Sequence, residues 1–168
     1  MKREINAFDY AETILKQVGR AALITTKSGD KVNTMTIGWG TIGIQWGKPI
    51  FIAFVRDSRH TMQMLEKNGE FTINVPMGQV DKKILGYCGT KSGRDTDKIA
   101  DMCLTLEPGE NVSVPGIKEL PLTLECKVIY KQKQENDKIP AELFDRYYPA
   151  GDFHTAFYGE IVGAYIAE

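Results

Sequence analysis

The run Ile50-Phe51-Ile52-Ala53-Phe54-Val55 constrains this chain most. It is continuous, apolar and rich in β-branched and aromatic residues, with Pro49 before it and charged residues after it. Six such residues are too few for a typical helix and suit a strand in the core. Upstream, Asn33 to Gly40 alternates small polar and apolar residues, the pattern of a half-buried strand. Downstream, Ser58 stands where an N-cap belongs, ahead of a helix that carries Met62 and Leu65 on one side.

The expected start of that helix is chemically unusual. A capping box would put Glu or Gln three residues after Ser58, and Thr61 is there instead. The first turn then holds hydroxyls (Ser58, Thr61), a guanidinium (Arg59) and an imidazole (His60), with no acid. Free backbone N–H groups, the positive end of a helix dipole and an arginine make a seat for a phosphate. A capped surface helix with solvated charges would read the same way.

Gly38-Trp39-Gly40-Thr41-Ile42-Gly43 matches a dinucleotide-binding G-x-G-x-x-G, with Asp57 downstream as a ribose acid. That fingerprint needs a helix opening at the glycines. Ile44-Gln45-Trp46-Gly47-Lys48-Pro49 follows instead and cannot start one, so the match is rejected. Glycines at 38, 40, 43 and 47 either thin the backbone for a flat ligand or turn a tight hairpin. Trp39 and Trp46 would give flat apolar walls beside such a ligand.

The remaining chain adds a leading helix over 9–18 with Ile14, Leu15 and Val18 inward, and strands over 21–26, 71–75, 122–130 and 155–166. It also adds a helix over 79–86 with Val80, Ile84 and Leu85 on one face. Between Cys88 and Leu104 the sequence suggests a Gly/Ser/Thr loop and a short helix from about Asp95. Six or seven mostly neighbouring strands with a few peripheral helices fit a small barrel better than a doubly wound sheet.

With 168 residues, 42% hydrophobic and 26% charged, the chain suits one ordered domain over 1–168. A net charge of −1 argues against general nucleic-acid binding. Residues 1–84 hold 12 Lys and Arg against 8 Asp and Glu, so the half with the phosphate seat is the basic one. Cys88, Cys103 and Cys126 form no C-x-x-C and suggest a reducing cytoplasm. Two distant histidines make a histidine-rich metal site improbable, and Asp95-Thr96-Asp97 lacks the glycine and glutamate of a calcium loop. No apolar run approaches membrane length, and the start MKREINAFDY has no signal-peptide core.

An ordered set of motifs resembles the flavin reductase-like family of FMN-binding split β-barrels. The set is Asn33-Thr34-Met35-Thr36, Trp39, Pro49, Ser58-Arg59-His60-Thr61, Gly69-Glu70-Phe71, Asn74-Val75-Pro76, and His154-Thr155 followed by Gly159-Glu160-Ile161-Val162. Gly89-Thr90-Lys91-Ser92-Gly93-Arg94-Asp95-Thr96-Asp97-Lys98 is similar to the flavoredoxin branch in particular. The resemblance covers about residues 15 to 168 and implies a mainly β fold, a Greek-key-like split barrel with a few peripheral helices.

It also implies roles. Ser58, Arg59 and Thr61 would hold the FMN phosphate, and Asn33, Thr34, Met35 and Thr36 the ribityl chain and pyrimidine edge. Trp39 would flank the ring. Gly89, Thr90, Ser92, Gly93 and Lys98 would approach it, with Lys91 or Lys98 supplying charge near N1 and O2, where negative charge collects on reduction. His154 would be a catalytic-site residue that positions a nicotinamide, because hydride transfer itself needs only aligned ring faces. Cys88 is better read as a small buried residue than as a redox thiol.

Two functions follow from the resemblance. One is an NAD(P)H-dependent flavin reductase, with NADH or NADPH as donor. The other is a flavoredoxin-like electron carrier that serves a redox protein partner without nicotinamide. Either would be a cytoplasmic homodimer with FMN near its interface, and neither would use nucleic acid or a membrane. A barrel that has lost its ligand is a third reading, and the retained Ser58-Arg59-His60-Thr61 turn argues against it.

Overall fold

The computed structural model describes residues Met1–Glu168. The elements in chain order are β1 (Lys2–Glu4), α1 (Ala11–Gln17), β2 (Leu23–Ser28), β3 (Lys31–Thr36), β4 (Gly40–Gln45), β5 (Lys48–Arg56), α2 (His60–Lys67) and β6 (Glu70–Val75). After them come α3 (Lys82–Thr90), α4 (Lys98–Asp101), β7 (Leu106–Glu107), β8 (Gly116–Ile117), β9 (Leu122–Lys133), α5 (Ala141–Tyr147) and β10 (His154–Ala167).

One antiparallel sheet carries the fold in the order β3-β2-β6-β9-β10-β5-β4, with β1 paired to the far end of β10. The six-residue apolar run lies inside β5, paired with β10 on one side and β4 on the other. Ile50 is buried, and from Phe51 on the run alternates between fully buried (Phe51, Ala53, Val55) and partly buried (Ile52, Phe54). Phe51, Phe71, Ile73, Leu124 and Phe157 interleave in the main core, and Ile14 of α1 closes one end. A smaller apolar cluster of Leu23, Ile84, Cys88, Leu104, Ile117 and Leu120 lies under α3 and the loop before β9. A Cβ on Gly159, at a register shift of β10, would meet Phe71 Cζ at 2.5 Å, so only glycine lets the long strand cross this core.

The sheet ends at β3 and β4, which are consecutive in the chain. The connection 37–39 spans the split between those edges. Ile37 N–H donates to Ala22 O at 3.0 Å on one side, and Trp39 O accepts from Phe54 N–H at 3.4 Å on the other. A barrel closed by one strip of backbone leaves a gap along that strip, and the gap decides where a ligand can lie.

Several expected elements differ. The strand expected over 33–40 ends at Thr36, and a second strand follows from Gly40. The glycine-rich stretch is therefore partly a hairpin: Trp46 (φ 53°) and Gly47 (φ 68°) both have positive φ, as a tight β4–β5 turn requires. Gly40 is the one that permits close packing, since a Cβ there would lie 2.7 Å from Phe51 Cζ. No helix opens at the G-x-G-x-x-G match. Leu15, expected inward, is exposed, because the first part of 9–18 is a 3₁₀ turn (Ala7–Tyr10) that shifts the helical phase. The 79–86 helix starts later, where Asp81 caps it by accepting from Lys83 N–H at 2.8 Å, and runs on to Thr90.

Candidate functional site

A cleft of about 390 Å3 opens along the split. Its floor is the β3 edge and the 37–39 connection, one wall is the start of α2, and another is the α3–α4 segment with the first residue of β10. Asn33, Met35, Thr36, Trp39, Ser58, Arg59, Thr61, Gly89, Thr90, Ser92, Gly93, Lys98 and His154 all line it. Thr34 does not. Its hydroxyl donates to Ile24 O at 3.2 Å, within a buried polar layer that includes Thr25 and Asn74. What Thr34 offers the site is indirect: its carbonyl accepts from Lys98 Nζ at 3.0 Å.

Glycines bring the α3–α4 segment against β3. A Cβ on Gly89 would lie 2.8 Å from Thr36 Oγ1, and one on Gly93 would collide with Asn33 Oδ1. Gly89 and Thr90 belong to the last turn of α3 rather than to the expected loop, and Thr90 spends its hydroxyl on Gly86 O at 2.7 Å. Lys98 is buried, with Nζ held by Thr34 O and by Cys88 O at 2.9 Å and no carboxylate beside it. Burial pushes its pKa down from the usual lysine value. Burial likewise pushes the Cys88 thiol up, away from a nucleophilic thiolate.

The phosphate seat differs in detail from the expectation. Helix α2 starts at His60, so Arg59 occupies the cap position and Ser58 lies outside the helix. Ser58 is engaged elsewhere: its N–H and hydroxyl both donate to the Asp152 carboxylate, at 2.9 and 2.7 Å. Burial opposes ionisation of Asp152, but the two Ser58 bonds and the charges of Arg56 and Arg59 outweigh it and hold its pKa below the usual value. The tip of α2 therefore presents Arg59, the Thr61 hydroxyl and the helix's first unpaired N–H groups. Thr61 accepts from Asn33 Nδ2 at 3.1 Å, which leaves its own hydrogen free to donate.

Sequence reasoning gave no role to Arg56 and Arg94, which also line the cleft, as do Lys91, the alternative source of charge, and His60 of the first turn of α2. Arg94 donates from Nη1 to Ser58 O at 3.1 Å, and the Arg56 guanidinium donates to Asp152 O and Tyr147 O. Arg56 ends a core strand, and the alternation that places it gives no hint of a loop 90 residues on. Five cations line the cleft (Arg56, Arg59, Lys91, Arg94, Lys98), and no carboxylate does. Asp152 is bound to Ser58, and Asp57 is drawn off by Lys133 at 2.5 Å and by the Thr155 hydroxyl at 3.3 Å. The chain as a whole carries a net charge of −1, so this is a local concentration of positive potential.

At the other end the cleft is aromatic. His154 lies 4.4 Å from Trp39, ring centre to ring centre, with the planes 32° apart. Tyr147 meets the Trp39 edge at 5.2 Å. His154 Nδ1 is 2.7 Å from the Tyr148 hydroxyl. Burial first, then Arg56, lower its pKa from 6.5 to about 4, so the imidazole is neutral at physiological pH.

The gradient from cationic to aromatic matches a ligand with an anionic tail and a flat ring. Of three buried polar atoms with no partner in the protein, two, Asn33 Oδ1 and His60 Nδ1, belong to residues that line the cleft. Asn33 Oδ1 at the cleft floor can accept from a hydroxyl, as a polyol linker would offer. The residues present therefore fit FMN.

Fold and cleft together define a flavin-binding type of split barrel, and sequence comparison agrees: residues 18–168 match the flavin reductase like domain, so the chain belongs to that family. Among solved structures it is similar to the flavoredoxin of Desulfovibrio vulgaris (Miyazaki F), with a TM-score of 0.67 and 27% identity, over 88% of this chain and 69% of that one. It is also similar to the flavoredoxin of Methanosarcina acetivorans, with a TM-score of 0.65 and 28% identity, over 88% and 68%. An uncharacterized protein of Archaeoglobus fulgidus is 30% identical over 79% of this chain, which spans 64% of that protein's length.

Proposed function

We propose that this protein binds FMN in the split-barrel cleft and works as a flavin reductase-like oxidoreductase, passing electrons from NADH or NADPH through FMN to an acceptor. One observation carries the reading: the tip of α2 and the α3–α4 segment enclose a cleft with five cations and no acid, ending on Trp39 and His154. Arg59, the Thr61 hydroxyl and the first N–H groups of α2 would hold the phosphate. Asn33 would accept from the ribityl chain, and the Met35–Thr36 edge would meet the pyrimidine. Lys98, fixed by two carbonyls, would supply positive charge to the ring.

Bound FMN supplies a ring that takes up two electrons as a hydride and gives them up again. Around it, Lys98 and Arg59 would favour the added negative charge, Trp39 would exclude water, and neutral His154 would orient the donor without moving a proton. A flavoredoxin-like carrier that takes electrons from a protein partner is the second reading. It is favoured by the likeness to two flavoredoxins at 27% and 28% identity.

Homodimerisation, with FMN near the interface, belongs to either reading. Ile44, Trp46, Ile129 and Tyr130 are exposed on β4, β9 and the β4–β5 turn and give a second copy apolar surface to cover. The three cysteines are all unpaired, as a cytoplasmic protein's would be, and no helix is long and apolar enough to cross a membrane. Anaerobic addition of NADH or NADPH to the FMN-loaded protein tests the first reading. Bleaching near 1:1 supports the reductase; bleaching only by a reduced protein donor replaces it with the carrier.

A further inference from the structure

The hydrogen bond on His154 Nδ1 is part of a chain that ends outside the cleft. Tyr148 follows α5 and is buried. Its hydroxyl lies 2.7 Å from His154 Nδ1 and 2.6 Å from Gln134 Oε1. The hydroxyl has one hydrogen, and an amide oxygen can only accept. The hydrogen therefore goes to Gln134, and the hydroxyl oxygen accepts from Nδ1–H. Neutral imidazole has one N–H, so Nε2 is left as a lone-pair acceptor on a ring that lines the cleft.

Each member of the chain is held in place. The Tyr148 ring stacks on Phe153 at 5.0 Å and 30°, and the Arg56 guanidinium lies over it at 5.2 Å. Arg56 also fixes the backbone on both sides of Tyr148 by donating to Tyr147 O and Asp152 O. Gln134 directly follows β9, and its N–H donates to His154 O at 3.0 Å, so the amide and the imidazole are in register. Trp39 sets the imidazole plane from the other side.

We propose that Tyr148, itself oriented by Gln134, is a positioning residue that locks His154 in the neutral Nδ1–H tautomer and so presents Nε2 as an acceptor for an N–H group of the electron donor. A neutral acceptor repels carboxylates and phosphates and selects an amide or amine hydrogen. The carboxamide N–H of a reduced nicotinamide has that chemistry. The choice of nicotinamide rests on the reductase reading above; the tautomer does not.

The tautomer can be read without activity. Only His60 and His154 occur, so two-bond 1H–15N spectra of histidine-labelled protein at pH 7 give two patterns, and His60→Gln assigns them. The wild type should show a protonated Nδ1 and a pyridine-type Nε2 on His154. Tyr148→Phe removes the acceptor, and Gln134→Leu frees the tyrosine hydrogen to turn toward Nδ1. Both variants should move the proton to Nε2. A wild-type Nε2–H, or an unchanged pattern in both variants, overturns the proposal. Gln134→Leu guards against misfolding, because it leaves the buried ring in place.

In the FMN-loaded protein, Tyr148→Phe should raise the nicotinamide concentration for half-maximal flavin reduction about tenfold, the scale of one hydrogen bond. FMN affinity should not change. An unchanged half-saturation would remove the donor contact from the proposal. Failure of the wild type to accept electrons from either nicotinamide would sink the reductase reading and the carboxamide with it, while the tautomer spectra would still decide the role of Tyr148.

Discussion

Arg59 and Ser58 are neighbours in the sequence and unequal in the structure. Arg59 lines the cleft at the head of α2, whereas Ser58 gives both its donors to Asp152. Arg59→Ala is therefore expected to weaken FMN binding by about 1.5–3 kcal/mol, the scale of a charge-assisted hydrogen bond. Ser58→Ala should cost less than about 0.5 kcal/mol of FMN affinity, since no hydroxyl bond to the ligand is lost. Fluorescence titration of the two variants measures both. The sequence could show a hydroxyl beside an arginine, but not a carboxylate 94 residues away competing for it.

His154 ties stability to pH. Its folded pKa of about 4 lies below the unfolded 6.5, so the unfolded chain binds the proton more readily. The stabilisation is then complete above about pH 6.5 and falls away as pH drops towards 4, by up to about 3 kcal/mol. Thermal unfolding of the wild type and of His154→Gln between pH 7 and pH 4 checks this. The wild type should lose more stability across that window, and parallel slopes would contradict the buried neutral imidazole.

At the scale of elements, the loop before β9 is tied to the sheet by two carboxylates, Glu70, which accepts from Ser113, and Glu125. Glu125 is fully buried in β9 and accepts from Glu110 N–H at 2.7 Å and from Asn111 N–H and Nδ2 at 2.8 Å each. Glu125→Ala removes the acceptor of these three part-buried bonds and is expected to cost about 1–3 kcal/mol in denaturant unfolding.

The strands with clear alternation or apolar runs (β2, β5, β6, β9, β10) were legible in the sequence, because burial alone sets their pattern. β4 was not, because Gly40 and Gly43 dilute its alternation and its edge position leaves Ile44 exposed. α5 was missed because it buries no residue and is held by rings at and beyond its C-terminal end. Pro140 followed by Ala141-Glu142, a helix-start signal with an acid in the first turn, could have found it. Of the site, the motifs gave the residues, but the split that gathers them depends on how far the sheet curls, which no local pattern records.

At the scale of the whole molecule, the split barrel leaves two edges, and the chain crosses between them once. That crossing is the floor of the cleft, so fold and ligand share the 37–39 backbone. The exposed aromatic face predicts self-association: Trp46 meets Tyr130 at 5.9 Å, and Tyr130 meets Tyr158 at 5.0 Å, both edge to face. Sedimentation equilibrium should give a dimer for the wild type and a monomer for Trp46→Glu. A wild-type monomer at micromolar concentration would remove the dimer from the account.

The central claim is that the tip of α2, within a cleft of cations, holds the monophosphate of a flavin. Titrating the apoprotein in parallel with FMN and with riboflavin, which is the same flavin without the phosphate, tests it most directly. FMN should bind with one site per chain and at least about tenfold more tightly than riboflavin, and Arg59→Ala should narrow that gap. Equal affinities, or no uptake of FMN at all, would contradict it.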